Sequence, residues 1–160
     1  MDLGLNGKIA LVTAASRGLG RGCAEQLAAE KCRVAICSRD EAAAKQAAEE
    51  IATQTGTEVV GLGADVSNVE DISRLLEEVR QSLGDPEILV TNAGGPPPGT
   101  FQENKSPEDI VRDMMSANPS NTIGDPSDFG AAAAFLAGVQ ARYITGQNLL
   151  VDGGNYSGLL

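Results

Sequence analysis

The sequence predicts an α/β domain: a doubly wound parallel sheet with helices on both faces. Three observations carry that expectation. Short, wholly apolar runs recur along the first half of the chain, as strands buried on both faces require. Stretches with helical spacing of apolar residues separate them, so strand and helix alternate as in βαβ units. The chain has 160 residues, 42% of them hydrophobic and 21% charged, which suffices for one globular domain with its own core.

The first predicted strand is Ile9-Ala10-Leu11-Val12. A glycine-bearing turn follows it, then a helix carrying Leu19, Cys23 and Leu27 at four-residue spacing. Val34-Ala35-Ile36-Cys37 forms the second strand, and the next helix shows Ala44, Ala48 and Ile51. The third strand is Val59-Val60-Gly61-Leu62. The third helix has a stripe of Val69, Ile72, Leu76, Val79 and Leu83, with Ser67 and Glu70 spaced as a capping box. Ile88-Leu89-Val90 is the fourth strand, and the turn-rich Gly94-Gly95-Pro96-Pro97-Pro98-Gly99 excludes helix or strand after it. Ser106 caps and Pro107 opens a fourth helix whose Ile110, Met114 and Met115 are expected in the core, ending at Asn118. Asp125-Pro126-Ser127-Asp128 opens a fifth, carried by Phe129, Ala132, Ala133 and Leu136. Asn148-Leu149-Leu150-Val151 reads as a closing strand and 153–156 as loop. Residues 1–160 therefore read as a single domain, with an N-terminal stretch (residues 1–118), a C-terminal stretch (residues 123–160) and a join at 119–122.

Composition excludes several functions. Twelve basic residues against 22 acidic ones give a net charge of −10, which repels phosphate backbones and anionic lipids, so neither nucleic acid nor membrane is an expected partner. No apolar run nears a membrane span, and the start Met1-Asp2-Leu3-Gly4 lacks the features of a signal peptide. Cys23, Cys32 and Cys37 follow no CxxC spacing, as expected of reduced thiols in a cytoplasmic protein. Histidine is absent, which removes Ser-His-Asp and Cys-His catalysis and any His-ligated metal; no metal site is expected.

The turn Thr13-Ala14-Ala15-Ser16-Arg17-Gly18-Leu19-Gly20 lies between the first strand and the first helix. A diphosphate can rest there against free helix N–H groups, because no side chain intrudes at Gly18 or Gly20. About 20 residues on, at the tip of the second strand, stands Ser38-Arg39-Asp40. Arg17 and Arg39 can neutralise a ribose 2′-phosphate, which favours NADP(H) over NAD(H), and Asp40 is assigned to the start of the next helix. Thr13 and Ser16 either contact phosphate or shape the turn.

With these residues in view, the chain resembles the short-chain dehydrogenase/reductase family, near the 3-oxoacyl-(acyl-carrier-protein) reductases, and thus a Rossmann-type fold. Thr13 to Gly20 is similar to the family's TGxxxGxG turn, with Ala14 where the family has glycine; alanine fits if the backbone keeps a negative φ there. Asp65-Val66 resembles its adenine-contacting pair, and Asn92-Ala93-Gly94 its NAG motif beside the cofactor. Tyr143 to Gln147 and Val151 to Gly154 resemble its closing strand and tail. The resemblance implies cofactor contacts from Thr13, Ser16, Arg17, Gly18, Leu19, Gly20, Ser38, Arg39, Asp65, Val66, Asn92, Ala93 and Gly94.

The resemblance also implies a catalytic set, and here the chain departs. The family uses an asparagine, a serine, and a tyrosine with a lysine four residues on. Asn118 matches the asparagine. Tyr143 is followed at that spacing by Gln147 and Tyr156 by Leu160, so no tyrosine has its lysine. The family places two further strands and their helices where Pro119 to Thr122 stand here, so the fold is shortened by about two strand-helix units, roughly 60 residues. The fourth strand then becomes a sheet edge, from which homo-oligomer formation is expected. Three readings stay open: a reductase of carbonyl or alcohol substrates whose active segment is missing from this sequence, a dinucleotide binder without catalysis, and an interaction module with an empty site.

Overall fold

The computed structural model describes residues 1–94, 105–156 and 158. In chain order it contains β1 (Ile9–Val12), α1 (Gly18–Ala29), β2 (Arg33–Ser38), α2 (Glu41–Thr55), β3 (Val59–Gly63), α3 (Val69–Ser82), β4 (Ile88–Val90), α4 (Pro107–Ala117) and α5 (Pro126–Ala137), then a 3₁₀ turn at Val139–Ala141. The strands form one parallel sheet in the order β3-β2-β1-β4. The expected α/β architecture is therefore present. The proline-rich turn from Gly95 to Gly99 lies outside the described residues.

Both faces of the sheet are buried at β1 and β2, because their apolar runs supply side chains alternately to each. Ala10, Val12, Val34 and Ile36 point into one cluster with Cys23, Leu27, Ile51 and Ala134, beneath α1, α2 and α5. Leu11, Ala35 and Cys37 point the other way, against Leu75, Val79 and Leu83 at α3. The α1–α5 crossing depends on two glycines. A Cβ on Gly22 would lie 2.2 Å from the Pro126 carbonyl oxygen, and one on Gly130 equally close to that of Gly22. The two backbones can touch only because neither residue has a side chain.

Several expectations are corrected. The α3 N-cap is Asn68, whose side chain accepts from the Asp71 N–H, while Ser67 bonds Asp65 instead of closing a capping box with Glu70. The α3 stripe is rotated: Leu75, Val79 and Leu83 are buried, whereas Val69 is 71% exposed and Ile72 is also exposed. On α1, Leu19 is exposed, while Cys23 and Leu27 reach the core together with Ala24 and Ala28. On α5 the inner face is Gly130 and Ala134, leaving Phe129 and Leu136 exposed. No residue of α4 is buried and Met114 is exposed, so its apolar face does not reach the core.

The closing strand does not form: 148–151 is neither strand nor helix, and Leu149, Leu150 and Val151 are exposed. A strand needs a neighbouring strand for its N–H and C=O groups. Among the described residues the sheet ends at β4, and 148–151 is not paired with it. No described helix is long and apolar enough to cross a membrane.

Candidate functional site

From β1 the chain passes to β2 on one side, while β4 returns to the other side of β1. Loops leaving adjacent strands in opposite directions cannot fill the space at the strands' carboxyl ends, and a crevice results. A cleft of about 750 Å³ lies there.

The turn after β1 contributes Ser16, Arg17, Gly18 and Leu19 to its wall, and the tip of β2 contributes Ser38 and Arg39. Asp65 and Val66 enter after β3, and Asn92, Ala93 and Gly94 after β4. Residues singled out in four separate stretches of sequence thus meet at one place. Ala14, Ala64 and Ser67 also line the cleft without having been singled out as cofactor contacts: Ala14 lies within the recognised turn, and Ala64 and Ser67 flank Asp65-Val66.

Thr13 and Gly20 belong to the frame rather than the wall. The Thr13 hydroxyl donates to the Asn92 carbonyl oxygen at 2.6 Å and accepts from the Asn92 N–H at 2.8 Å. The Asn92 side chain donates to the Ala14 carbonyl oxygen at 3.0 Å, so the turn and the end of β4 are tied together. A Cβ on Gly20 would sit 2.7 Å from both that oxygen and the Asn92 amide. Ala14 itself has φ +49, so the expected negative φ is overturned. Its carbonyl is aimed at Asn92 by a left-handed backbone that glycine adopts more readily.

Of the five described α-helices, α1 alone has neither a side-chain cap nor an acidic residue in its first turn. Its positive end therefore opens on the cleft with its N–H groups uncapped by any side chain. Gly18 has φ +62, and a Cβ added to it would meet nothing within 4 Å. At the β2 tip the Ser16 hydroxyl donates to that of Ser38 at 3.2 Å. Asp40 turns away to cap α2, accepting from the Ala43 N–H at 3.1 Å, as expected of an acid at a helix start. That leaves Arg39 as the basic side chain contributed by the β2 tip to the cleft wall. The Asp65 carboxyl is held below the ordinary carboxylate range, first by the Ser67 hydroxyl and N–H and then by the positive charge of Arg39.

The candidate catalytic residue lies elsewhere. Asn118 does not line the cleft: its side-chain N–H donates to the Asp152 carbonyl oxygen at 3.0 Å, and its oxygen accepts from the N–H and hydroxyl of Ser120, each at 3.1 Å. Its polar atoms fasten the join to the tail. Tyr143, 98% exposed, and Tyr156 also stand outside the cleft, and Lys105 pairs with Asp113. Burial pushes all three thiols up, that of Cys32 to about 11, so none is a ready nucleophile.

Comparisons with known proteins agree with this geometry. The family model "short chain dehydrogenase" matches residues 8–123, and "Enoyl-(Acyl carrier protein) reductase" matches residues 98–155. A hydroxynaphthalene reductase-like protein of Metarhizium guizhouense is 41% identical over 91 residues, 56% of this chain and 34% of that protein. The 3-oxoacyl-(acyl-carrier-protein) reductase of Aquifex aeolicus is 38% identical over 94 residues, 59% of this chain and 38% of the enzyme. The matched stretch thus spans about a third of the length of these relatives. Among solved structures, the L-sorbose reductase of Gluconobacter frateurii, complexed with NADPH and L-sorbose, superposes with a TM-score of 0.84 at 18% identity, covering 99% of this chain and 100% of that one. On its sequence motifs, its sheet order and the family match across most of its length, the chain belongs to the short-chain dehydrogenase family.

Proposed function

We propose that this chain binds a nicotinamide dinucleotide, NADP(H) in preference to NAD(H), in the cleft at the end of β1. The observation that carries the reading is the uncapped N-terminus of α1 facing a cleft whose far end holds Arg39. The volume lies within the range of sites that enclose small ligands. Ser16, Arg17, Gly18 and Leu19 would hold the diphosphate. Ser38, Arg39 and Arg17 would receive the 2′-phosphate, and Asp65 and Val66 the adenine. Asn92, Ala93 and Gly94 would border the nicotinamide side, with Thr13 and Gly20 fixing the frame. The sorbose reductase, solved as a complex with NADPH, supports the same choice of cofactor.

In this family the bound cofactor supplies a hydride for carbonyl reduction or accepts one from an alcohol. This chain's own residues bind and orient, and none described in the cleft is placed to move the accompanying proton. We therefore assign it dinucleotide binding without turnover. A reductase of carbonyl or hydroxyl substrates such as 3-oxoacyl thioesters, with Asn118 in its catalytic set, is the reading for a longer protein that supplies the Ser-Tyr-Lys segment. Buried, unpaired cysteines support a reducing, cytoplasmic setting.

Calorimetric titration tests the assignment. NADPH should bind more tightly than NADH, and at 100 times its dissociation constant should stabilise the fold by about 2.7 kcal/mol. Arg39→Ala should weaken NADPH at least about tenfold and NADH little, since a charge-assisted phosphate contact contributes about 1.5–3 kcal/mol. Absence of binding by either dinucleotide overturns the assignment; equal affinities overturn the NADP(H) preference.

A further inference from the structure

The polar side chains of the cleft wall are unevenly placed. Ser16, Arg17, Ser38, Arg39, Asp65 and Ser67 all stand on the turn after β1, the β2 tip or the loop after β3. The end of β4 contributes Asn92, whose polar groups are already engaged. Its N–H and carbonyl oxygen both meet the Thr13 hydroxyl, and its side-chain amide donates to the Ala14 carbonyl oxygen. That amide nitrogen would lie 2.7 Å from a Cβ on Gly20, so it is packed into the frame of the turn. Beyond it Ala93 and Gly94 bring only exposed backbone. Among the described residues no tyrosine or lysine lines the cleft: Tyr143 and Tyr156 stand outside it, and Lys105 pairs with Asp113.

We infer that the cleft takes 2′-phosphorylated adenine nucleotides as a class and leaves the nicotinamide unheld. This rests on the dinucleotide reading above and narrows what is recognised within that ligand. An exposed backbone group exchanges water for each ligand contact, so its net contribution is small. Charged partners give a contact its strength, and the positive ones here, Arg17, Arg39 and the open end of α1, all suit phosphate. The redox state of the ring goes unread for the same reason. Oxidised and reduced nicotinamide differ by one positive charge, and the end of β4 brings no charged side chain to the described cleft wall. Charges further off are screened beyond about 8 Å at physiological ionic strength.

The test titrates the full chain with NADPH, NADP⁺ and 2′-phospho-ADP-ribose, which keeps every phosphate and lacks only the nicotinamide. The three dissociation constants should agree within about threefold. Arg39→Ala should weaken all three by the same factor, at least about tenfold. Arg39 is exposed, so the substitution does not disturb the core. A loss of more than about threefold on removing the nicotinamide, or a difference of that size between NADPH and NADP⁺, overturns the inference. So does unequal weakening by Arg39→Ala, which would show that the ligands do not share one mode of binding. No weakening of any ligand by that substitution overturns the 2′-phosphate class. Failure of all three to bind the unmodified chain overturns the dinucleotide reading instead.

Discussion

Ala14 shows how one residue sets the geometry of a site. Its φ of +49 turns its carbonyl to the Asn92 amide, at the position where an alanine is strained and a glycine is not. Left-handed backbone costs an alanine roughly 1–2 kcal/mol, and the greater freedom of an unfolded glycine offsets about 0.4–1 kcal/mol of that. Ala14→Gly should therefore raise stability by about 0.5–1 kcal/mol, measured from the urea midpoint. A lower midpoint would show that the residue is not strained. The motif of this turn was legible in the sequence, but its backbone angle was not. That angle follows from the Asn92 contact across 78 residues of chain. The same holds for Ser67: its spacing to Glu70 suggested a cap, and the tertiary position of Asp65 gave it a different partner.

Among the elements, the apolar patterns identified which segments are helices and left the rotation of each to its neighbours. The α1–α5 crossing decides the inner face of α5. Contact at Gly22 and Gly130 sets the distance between the helices, so the small residues lie inside and Phe129 outside. Gly130→Ala separates two effects of opposite sign. Helix propensity alone would favour alanine by about 1 kcal/mol, whereas a Cβ 2.2 Å from a backbone oxygen forces the helices apart. The clash should dominate, with a net loss of roughly 1–3 kcal/mol in denaturant unfolding. A stabilised variant would mean that the helices do not cross there. Segment 148–151 teaches the complementary lesson. Its composition suits a strand, yet a strand is a pairing, and this one has no partner in the described sheet.

For the whole molecule, β4 ends the described sheet, with Leu89 61% exposed and Val111 and Met114 exposed on α4. We propose that the chain forms a homo-oligomer through this edge, because apolar surface of this kind and open backbone groups favour pairing with a second copy. Light scattering should give a mass above the 16.5 kDa of one chain, and Leu89→Lys should shift it towards the monomer. A monodisperse monomer before substitution would rule this association out. The strands β1 to β4, the helices between them, the family and eleven of the residues that line the cleft could all be read from the amino-acid order. These depend on local pattern: runs of apolar residues, spacing, and motifs at strand ends. It took the folded chain to show that Thr13 and Gly20 frame the site, that Ser67 grips Asp65, and that Asn118 is fastened to the tail away from the cleft. The unpaired state of the closing strand emerged in the same way. Each of these is a contact between distant or competing partners, and which of them wins depends on where the rest of the chain lies.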